Sequence, residues 1–75
     1  MTIELLQRYE KLLIKSIYYF KIAPPHLKSD ARSEFYKHFS EVNKIRKEMG
    51  IKPIPITLLT DQVKEDGVIY LPSYS

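Results

Sequence analysis

The sequence predicts a mainly α-helical protein built on an antiparallel hairpin of two helices. Two stretches of about twenty residues, 2–22 and 30–49, contain neither glycine nor proline and carry apolar residues at helical spacing. The Pro24–Pro25 pair between them interrupts a helix, because proline donates no backbone hydrogen bond. Such a short connection favours antiparallel neighbours. The chain has 75 residues, so we treat 1–75 as one small domain.

The first helix is predicted over about residues 3–22. Thr2 can cap its amino end, and Glu4 lies in the first turn, where the helix dipole favours an anion. One wide apolar stripe follows the helical period and is expected to face the core. Its members are Leu5, Leu6, Tyr9, Leu12, Leu13, Ile17, Tyr19 and Phe20.

A second, narrower apolar stripe on the same helix consists of Ile14, Tyr18 and Ile22, each four residues from the next. One neighbouring helix cannot cover both stripes, so either the C-terminal segment or another protein must cover this one. If a partner covers it, Ile14→Lys combined with Tyr18→Glu should abolish binding and leave the fold intact. If the C-terminal segment covers it, the same double variant should unfold.

The second helix is predicted over about residues 30–49, with Ser29 or Asp30 as its cap and Gly50 ending it. Its apolar residues alternate at spacings of four and three, which is typical of a helix–helix seam. We list the expected core of the hairpin: Leu5, Tyr9, Leu12, Leu13, Ile17, Phe20, Phe35, Phe39, Val42 and Ile45.

The C-terminal segment, residues 51–75, is harder to interpret. Its first part reads IKPIPI, and the two prolines favour extended backbone. Residues 57–71 form either a short third helix capped by Thr57 or Thr60, or a β-hairpin turning at Asp66–Gly67. The apolar residues do not alternate cleanly, which favours the short helix followed by an extended, partly ordered VIYLP segment.

Composition excludes several kinds of protein. The chain has no cysteine, so it forms neither disulfides nor thiolate metal sites. Charged residues interrupt the apolar part of the first helix, which argues against a signal peptide and a membrane span. We therefore expect a soluble, cytoplasmic protein without membrane contact.

No arrangement of polar residues indicates catalysis. His38 is flanked by Glu34 and Glu41, but a metal site needs three or four ligands from several elements, and we predict a seam position for this histidine. Asp61, Glu65 and Asp66 lie in a short polar segment and are interpreted as surface charges. The sequence contains no glycine-rich phosphate loop. We predict a protein that is not an enzyme and has no metal or cofactor.

The charge distribution supports a nucleic-acid hypothesis as the alternative. The net charge is +3, with +5 in residues 1–52 and −2 in residues 53–75. A basic helical body can contact phosphates. The candidate residues are Arg8, Lys11, Lys15, Lys21, Arg32, Arg46 and Lys47. Lysines alternate with glutamates on the second helix, however, and this dilutes any positive stripe.

The leading hypothesis is a small non-catalytic accessory subunit that uses protein–protein interaction to dock on a larger protein or assembly, such as one that handles nucleic acid. Self-association into a homo-oligomer is the other way in which the same apolar surfaces would be covered. The chain has a large apolar content for its length, and apolar surface that stays exposed usually marks a binding site. The predicted contact residues are Ile14, Tyr18, Ile22, Ile69, Tyr70 and Leu71.

Overall fold

The computed structural model describes residues 2–74 and contains three α-helices. They are α1 (Ile3–Ile22), α2 (Lys28–Glu48) and α3 (Ile56–Lys64), and a 3-10 turn (Pro25–Leu27) links the first two. No strand occurs within residues 2–74. The predicted helical hairpin with a short third helix is therefore confirmed, and the β-hairpin alternative for residues 57–71 is wrong.

Helix α1 begins and ends as its sequence predicts. The Thr2 hydroxyl accepts a hydrogen bond from the backbone N–H of Leu5 at 3.2 Å, which satisfies one free donor of the first turn. Ala23 has extended backbone at the other end, because the residue before a proline avoids the helical region.

Helix α2 begins earlier than predicted. The 3-10 turn leads directly into the helix at Lys28, and no side chain caps it, so the predicted cap at Ser29 or Asp30 is wrong. The Lys28 ammonium group instead donates to the backbone oxygen of Phe20, one of the carbonyls that the end of α1 leaves free. The connection is thus stabilised by a cation at the carboxyl end of α1.

Gly50 ends α2 as predicted. Its φ of +72° lies in the left-handed region, where glycine has no steric penalty. The N–H of Ile51 donates to the oxygen of Arg46 at 2.8 Å, and the N–H of Gly50 donates to Lys47 at 3.1 Å. This pair of bonds is the Schellman arrangement.

The core lies between α1 and α2 and is closed by the C-terminal third of the chain. Its buried members are Leu6, Leu13 and Ile17 of α1, Phe35, Val42 and Ile45 of α2, and Ile54, Leu59 and Ile69 of the remainder. The radius of gyration, 12.3 Å, fits this single core.

The buried face of α1 is rotated from the predicted one. Leu6, absent from the predicted core, is completely buried, whereas Leu12 is 43% exposed and Leu5 is half-buried. The rotation occurs because Glu10 lies on the buried face, where it pairs with Arg46. Of the other predicted core residues, five are buried and three are half-buried. These are Leu13, Ile17, Phe35, Val42 and Ile45, and then Tyr9, Phe20 and Phe39.

Helix α3 begins one residue after Pro55, and no side chain caps it. The predicted caps are therefore wrong: Thr60 donates its hydroxyl to the oxygen of Thr57, and both lie inside the helix. Leu59 is buried and Val63 is half-buried, so these two residues form the inner face of α3.

Two side-chain amides hold the extended segments, and we call them the amide clamps. Asn43 donates to the oxygen of Ile54 at 3.1 Å and accepts from its N–H at 2.8 Å. Gln62 donates to the oxygen of Tyr70 at 3.0 Å and accepts from its N–H at 2.9 Å. Each clamp satisfies one residue's backbone groups as a neighbouring strand would.

Candidate docking surface

The side of α1 that points away from the core combines apolar and basic residues. At 100° per residue, Arg8, Leu12, Lys15, Tyr19 and Ile22 fall on one side, with Lys11 and Tyr18 at its edge. We call these seven residues the outer face. Leu12, Tyr19 and Ile22 are 43%, 40% and 80% exposed. Tyr18 and Tyr19 are each one helical turn from Ile22, so exposed apolar side chains lie side by side at the carboxyl end of α1.

The cations of the outer face have no counterions in the part of the chain that the structure describes. Arg8, Lys11 and Lys15 are exposed, and within residues 2–74 no carboxylate forms an ion pair with any of them. By their position on the helix they lie in the same surface as Tyr18 and Ile22. Part of the apolar set and part of the basic set that the sequence suggested as rival sites therefore share this face.

Residues 65–74 follow α3 and run beside the carboxyl end of α1, and we call them the tail. The N–H of Ile69 donates to the Tyr18 hydroxyl at 3.0 Å, and the Lys21 ammonium group donates to the oxygen of Glu65. Val68 and Tyr70, on either side of the buried Ile69, are 82% and 65% exposed. The tail therefore adds apolar surface next to the outer face.

The predicted apolar contact residues divide into two groups. Tyr18, Ile22 and Tyr70 are exposed. Ile69 is only 4% exposed and belongs to the core, because extended backbone that exposes its neighbours turns it inward. It therefore offers no surface to a partner while the tail is in place.

Ile14 and Leu71 are half-buried and pack against the core. They line a groove of about 400 Å³ between α1 and the tail. The tail thus covers the Ile14 end of the second stripe, while the Ile22 end stays open. The exposed apolar residues Leu12, Tyr19 and Val68 were not among the predicted contact residues, and the exposure of the first two could have been predicted by centring the buried face on Leu6 and Leu13.

The seven predicted phosphate-binding residues do not share one surface. Arg8, Lys11 and Lys15 are on α1, whereas Arg32 lines a cleft beside α3 and Lys47 is near the end of α2. Lys21 already donates to the backbone of Glu65. Arg46 is 1% exposed, so it is not available to phosphate.

Arg46 instead forms the centre of a buried polar network. Its guanidinium group donates to one carboxylate oxygen of Glu10 at 2.9 and 3.2 Å, and to the backbone oxygens of Lys52 at 3.2 Å and Pro72 at 2.8 Å. The Tyr74 hydroxyl donates to the other Glu10 oxygen at 2.6 Å. We call these five residues the Arg46 network. It attaches the tail to both long helices.

A sequence signal for this network existed. Glu10 comes four residues after Leu6 and three before Leu13, and Arg46 comes four after Val42. A charged residue at the centre of an apolar stripe is buried only if it has a partner of opposite charge. One acid and one base in such positions on two packed helices indicate an ion pair between them.

The hydroxyl of Tyr74 makes the stability of the fold sensitive to alkaline pH. Burial, followed by the hydrogen bond to the Glu10 carboxylate, raises the pKa of Tyr74 from 10.0 to about 12. A raised pKa means that the folded state holds the proton more tightly than the unfolded state. The contribution is therefore complete below pH 10 and is lost as the pH rises towards 12.

We expect Tyr74→Phe to cost about 1 kcal/mol at neutral pH and to lose less stability than the wild type between pH 10 and 12. Urea unfolding at a series of pH values measures both effects. Tyr19→Phe, which removes a hydroxyl from the outer face, is the matched control. A wild-type curve parallel to that of Tyr74→Phe over this range would contradict the prediction.

His38 is half-buried at the edge of the helix seam. Its Nε2 lies 3.4 Å from Glu34 and its Nδ1 lies 3.6 Å from Glu41, and both carboxylates belong to the same helix. In residues 2–74 no other helix adds a ligand to them, and no group of three or more histidine, aspartate or glutamate side chains is placed so that it could hold a metal ion. Asp61, Glu65 and Asp66 are exposed.

Comparison of this chain with protein-family models, with curated proteins and with solved structures finds no match. None of the helices in residues 2–74 has the length and apolar character needed to cross a membrane.

Proposed function

We propose that this protein is a small non-catalytic accessory subunit that docks on a larger protein or assembly. The observation that carries the proposal is the outer face of α1, where exposed apolar side chains alternate with cations that form no ion pair within residues 2–74. Exposed apolar surface that is contiguous marks interaction sites, and Tyr and Arg are enriched in protein interfaces. Val68 and Tyr70 extend this contact surface along the tail.

The same surface suggests the chemistry of the partner. Arg8, Lys11 and Lys15 complement an acidic rim, and Leu12, Tyr19 and Ile22 complement an apolar centre. A symmetric dimer through this face is less favourable, because a two-fold axis would bring the same positively charged patch together from both copies. We therefore favour a different, acidic protein over a second copy.

Direct nucleic-acid binding is the second candidate. Its support is that Arg8, Lys11 and Lys15 lie three and four residues apart on one helix face, with no counterion among the described residues 2–74 and with Tyr19 beside them for base stacking. Salt separates the two candidates. Binding through phosphates weakens by orders of magnitude over a few-fold rise in salt, whereas docking through apolar side chains should persist at about 0.5 M salt.

The test of the first candidate is Ile22→Ser, because Ile22 is the most exposed apolar residue of the outer face. We expect this variant to keep the wild-type melting temperature and to lose the partner. Tagged wild type and variant would be used to capture proteins from the native host at about 0.5 M salt, with quantitative mass spectrometry as the readout. Lys44→Ser, an exposed change on α2, is the matched control and should capture the same partner as wild type.

Retention of the partner by Ile22→Ser and by Leu12→Ser would contradict the docking proposal. Ile14→Lys with Tyr18→Glu is a less suitable test. Ile14 packs against the core, and Tyr18 accepts the hydrogen bond from Ile69, so this double variant should also release the tail.

A further inference from the structure

We propose that a cleft between α1, α2 and α3 binds a small aromatic anion, meaning a planar ring that carries a phosphate or a carboxylate. The cleft lies on the other side of α1 from Ile22, so it is independent of the docking surface. Its volume is about 370 Å³. Cavities that hold small ligands begin at about this size.

Aromatic rings form the floor of the cleft. Phe35, which is buried, packs against Phe20 with ring centroids 5.8 Å apart and is stacked on Tyr36 at 5.2 Å, with only 8° between the two planes. Tyr36 is 47% exposed, so the stack ends at an open ring. A planar ligand ring could extend this stack, since offset stacking is a favoured arrangement of aromatic rings.

Cations and a hydroxyl form the rim. Arg32 lies one helical turn before Tyr36, and Lys64 and Thr60 face it from α3. No carboxylate lines this cleft in the part of the chain that the structure describes, and neither cation has an ion pair there. Two cations from separate helices without a counterion favour an anion with several oxygens, and a guanidinium group binds phosphate and carboxylate alike in a two-pronged contact.

A third cation adds to the positive potential behind the floor. The Lys28 ammonium group lies 5.2 Å from the centre of the Phe20 ring while it donates to the Phe20 backbone oxygen.

The ligand needs both of its parts: the ring to stack on Tyr36 and the anionic group to contact Arg32 and Lys64. The open shape and the few polar contacts predict a dissociation constant on the order of 0.1–1 mM.

The experiment is a titration of the ¹⁵N-labelled full chain, followed by amide chemical shifts. AMP is the phosphate probe and 2-naphthoate is the carboxylate probe. Adenosine and inorganic phosphate supply the ring and the anion separately. We expect saturable shifts at Tyr36, Thr60 and Val63 with at least one aromatic anion, and binding at least about tenfold weaker for adenosine and for phosphate alone. The probe that saturates identifies the anionic group.

Two variants complete the test. Arg32→Gln with Lys64→Gln removes the cations, and Tyr36→Leu removes the open ring; both should weaken binding at least about tenfold and keep the helical spectrum. Lys37→Gln with Lys44→Gln removes the same charge from exposed positions of α2 outside the cleft and should bind as wild type does. The proposal is overturned if neither probe saturates or if the shifts centre on another surface. It is also overturned if the two-lysine control weakens binding as much as Arg32→Gln with Lys64→Gln does.

Discussion

Arg46→Met is expected to lower the free energy of unfolding by about 3–5 kcal/mol, because it leaves the buried Glu10 carboxylate without its counterion. The backbone oxygens of Lys52 and Pro72 lose their donor at the same time. Methionine fills much of the space of the arginine stem, so the loss reports the charge and the hydrogen bonds more than the volume. The total free energy of unfolding of a domain of this length is roughly 4–11 kcal/mol, so this one variant should leave the protein only marginally stable.

Urea unfolding followed by circular dichroism measures this effect. Arg8→Met is the matched control, since Arg8 is exposed and has no ion pair in residues 2–74, and its cost should stay within about 0.5 kcal/mol. Glu10→Leu added to Arg46→Met should recover part of the loss, because a buried pair replaced by apolar residues is often tolerated. An Arg46→Met cost below about 1 kcal/mol would show that the network is not a structural centre.

Leu13→Ala should cost about 3 kcal/mol, whereas Leu12→Ala should cost less than about 1 kcal/mol. The two leucines are adjacent in the sequence and undergo the same chemical change. Leu13 is completely buried, so its truncation leaves a cavity, and Leu12 is 43% exposed. Phe35→Ala, also in the core, should cost at least as much as Leu13→Ala.

The same urea experiment measures both leucine variants. A second adjacent pair, Leu6→Ala and Leu5→Ala, gives an independent check, since Leu6 is fully buried and Leu5 only half-buried. Equal costs for Leu12→Ala and Leu13→Ala would mean that α1 presents the wider face that its sequence first suggested. A larger cost at Leu12 than at Leu13 would place the rotation of α1 in the opposite direction.

Much of the helical framework could be predicted from the sequence because its ends depend on local chemistry. Thr2 caps α1, Pro24 forces its end, and Gly50 supplies the left-handed residue that closes α2. The start of α2 was missed by two residues, since a 3-10 turn carries the chain into the helix without a capping side chain.

The orientation of α1 could not be read from its apolar residues alone. Leu5, Leu12 and Tyr19 widen the stripe and move its apparent centre away from Glu10. The charge at position 10 looks like a residue that belongs to the surface until its partner is known, and that partner is 36 residues away. For the same reason Arg46 resembled a phosphate contact, and the open outer face becomes apparent only when Glu10 and Arg46 are paired on the buried side of their helices.

The path of the C-terminal segment could not be predicted from its own sequence, because side chains of the helices hold it in place. Strand prediction looks for alternation and a turn, but this segment is held by the amide clamps and by the Arg46 network. The backbone groups of Ile54 and Tyr70 are satisfied by single side chains on helices. No periodic pattern of residues records such contacts.

The way the tail is fastened determines how the molecule fluctuates. The N–H of Ile69 is held by the Tyr18 hydroxyl, that of Tyr70 by the Gln62 amide, and the Pro72 oxygen by the guanidinium group of Arg46. Lifting the tail would leave polar groups of all three helices without partners, and it would expose Ile69 to water. We therefore expect the tail to open together with the hairpin rather than by fraying, and the amides of Ile69 and Tyr70 to exchange slowly with solvent although they belong to no helix or sheet. Slow hydrogen exchange at these amides would show that even this irregular segment opens only when the whole domain unfolds.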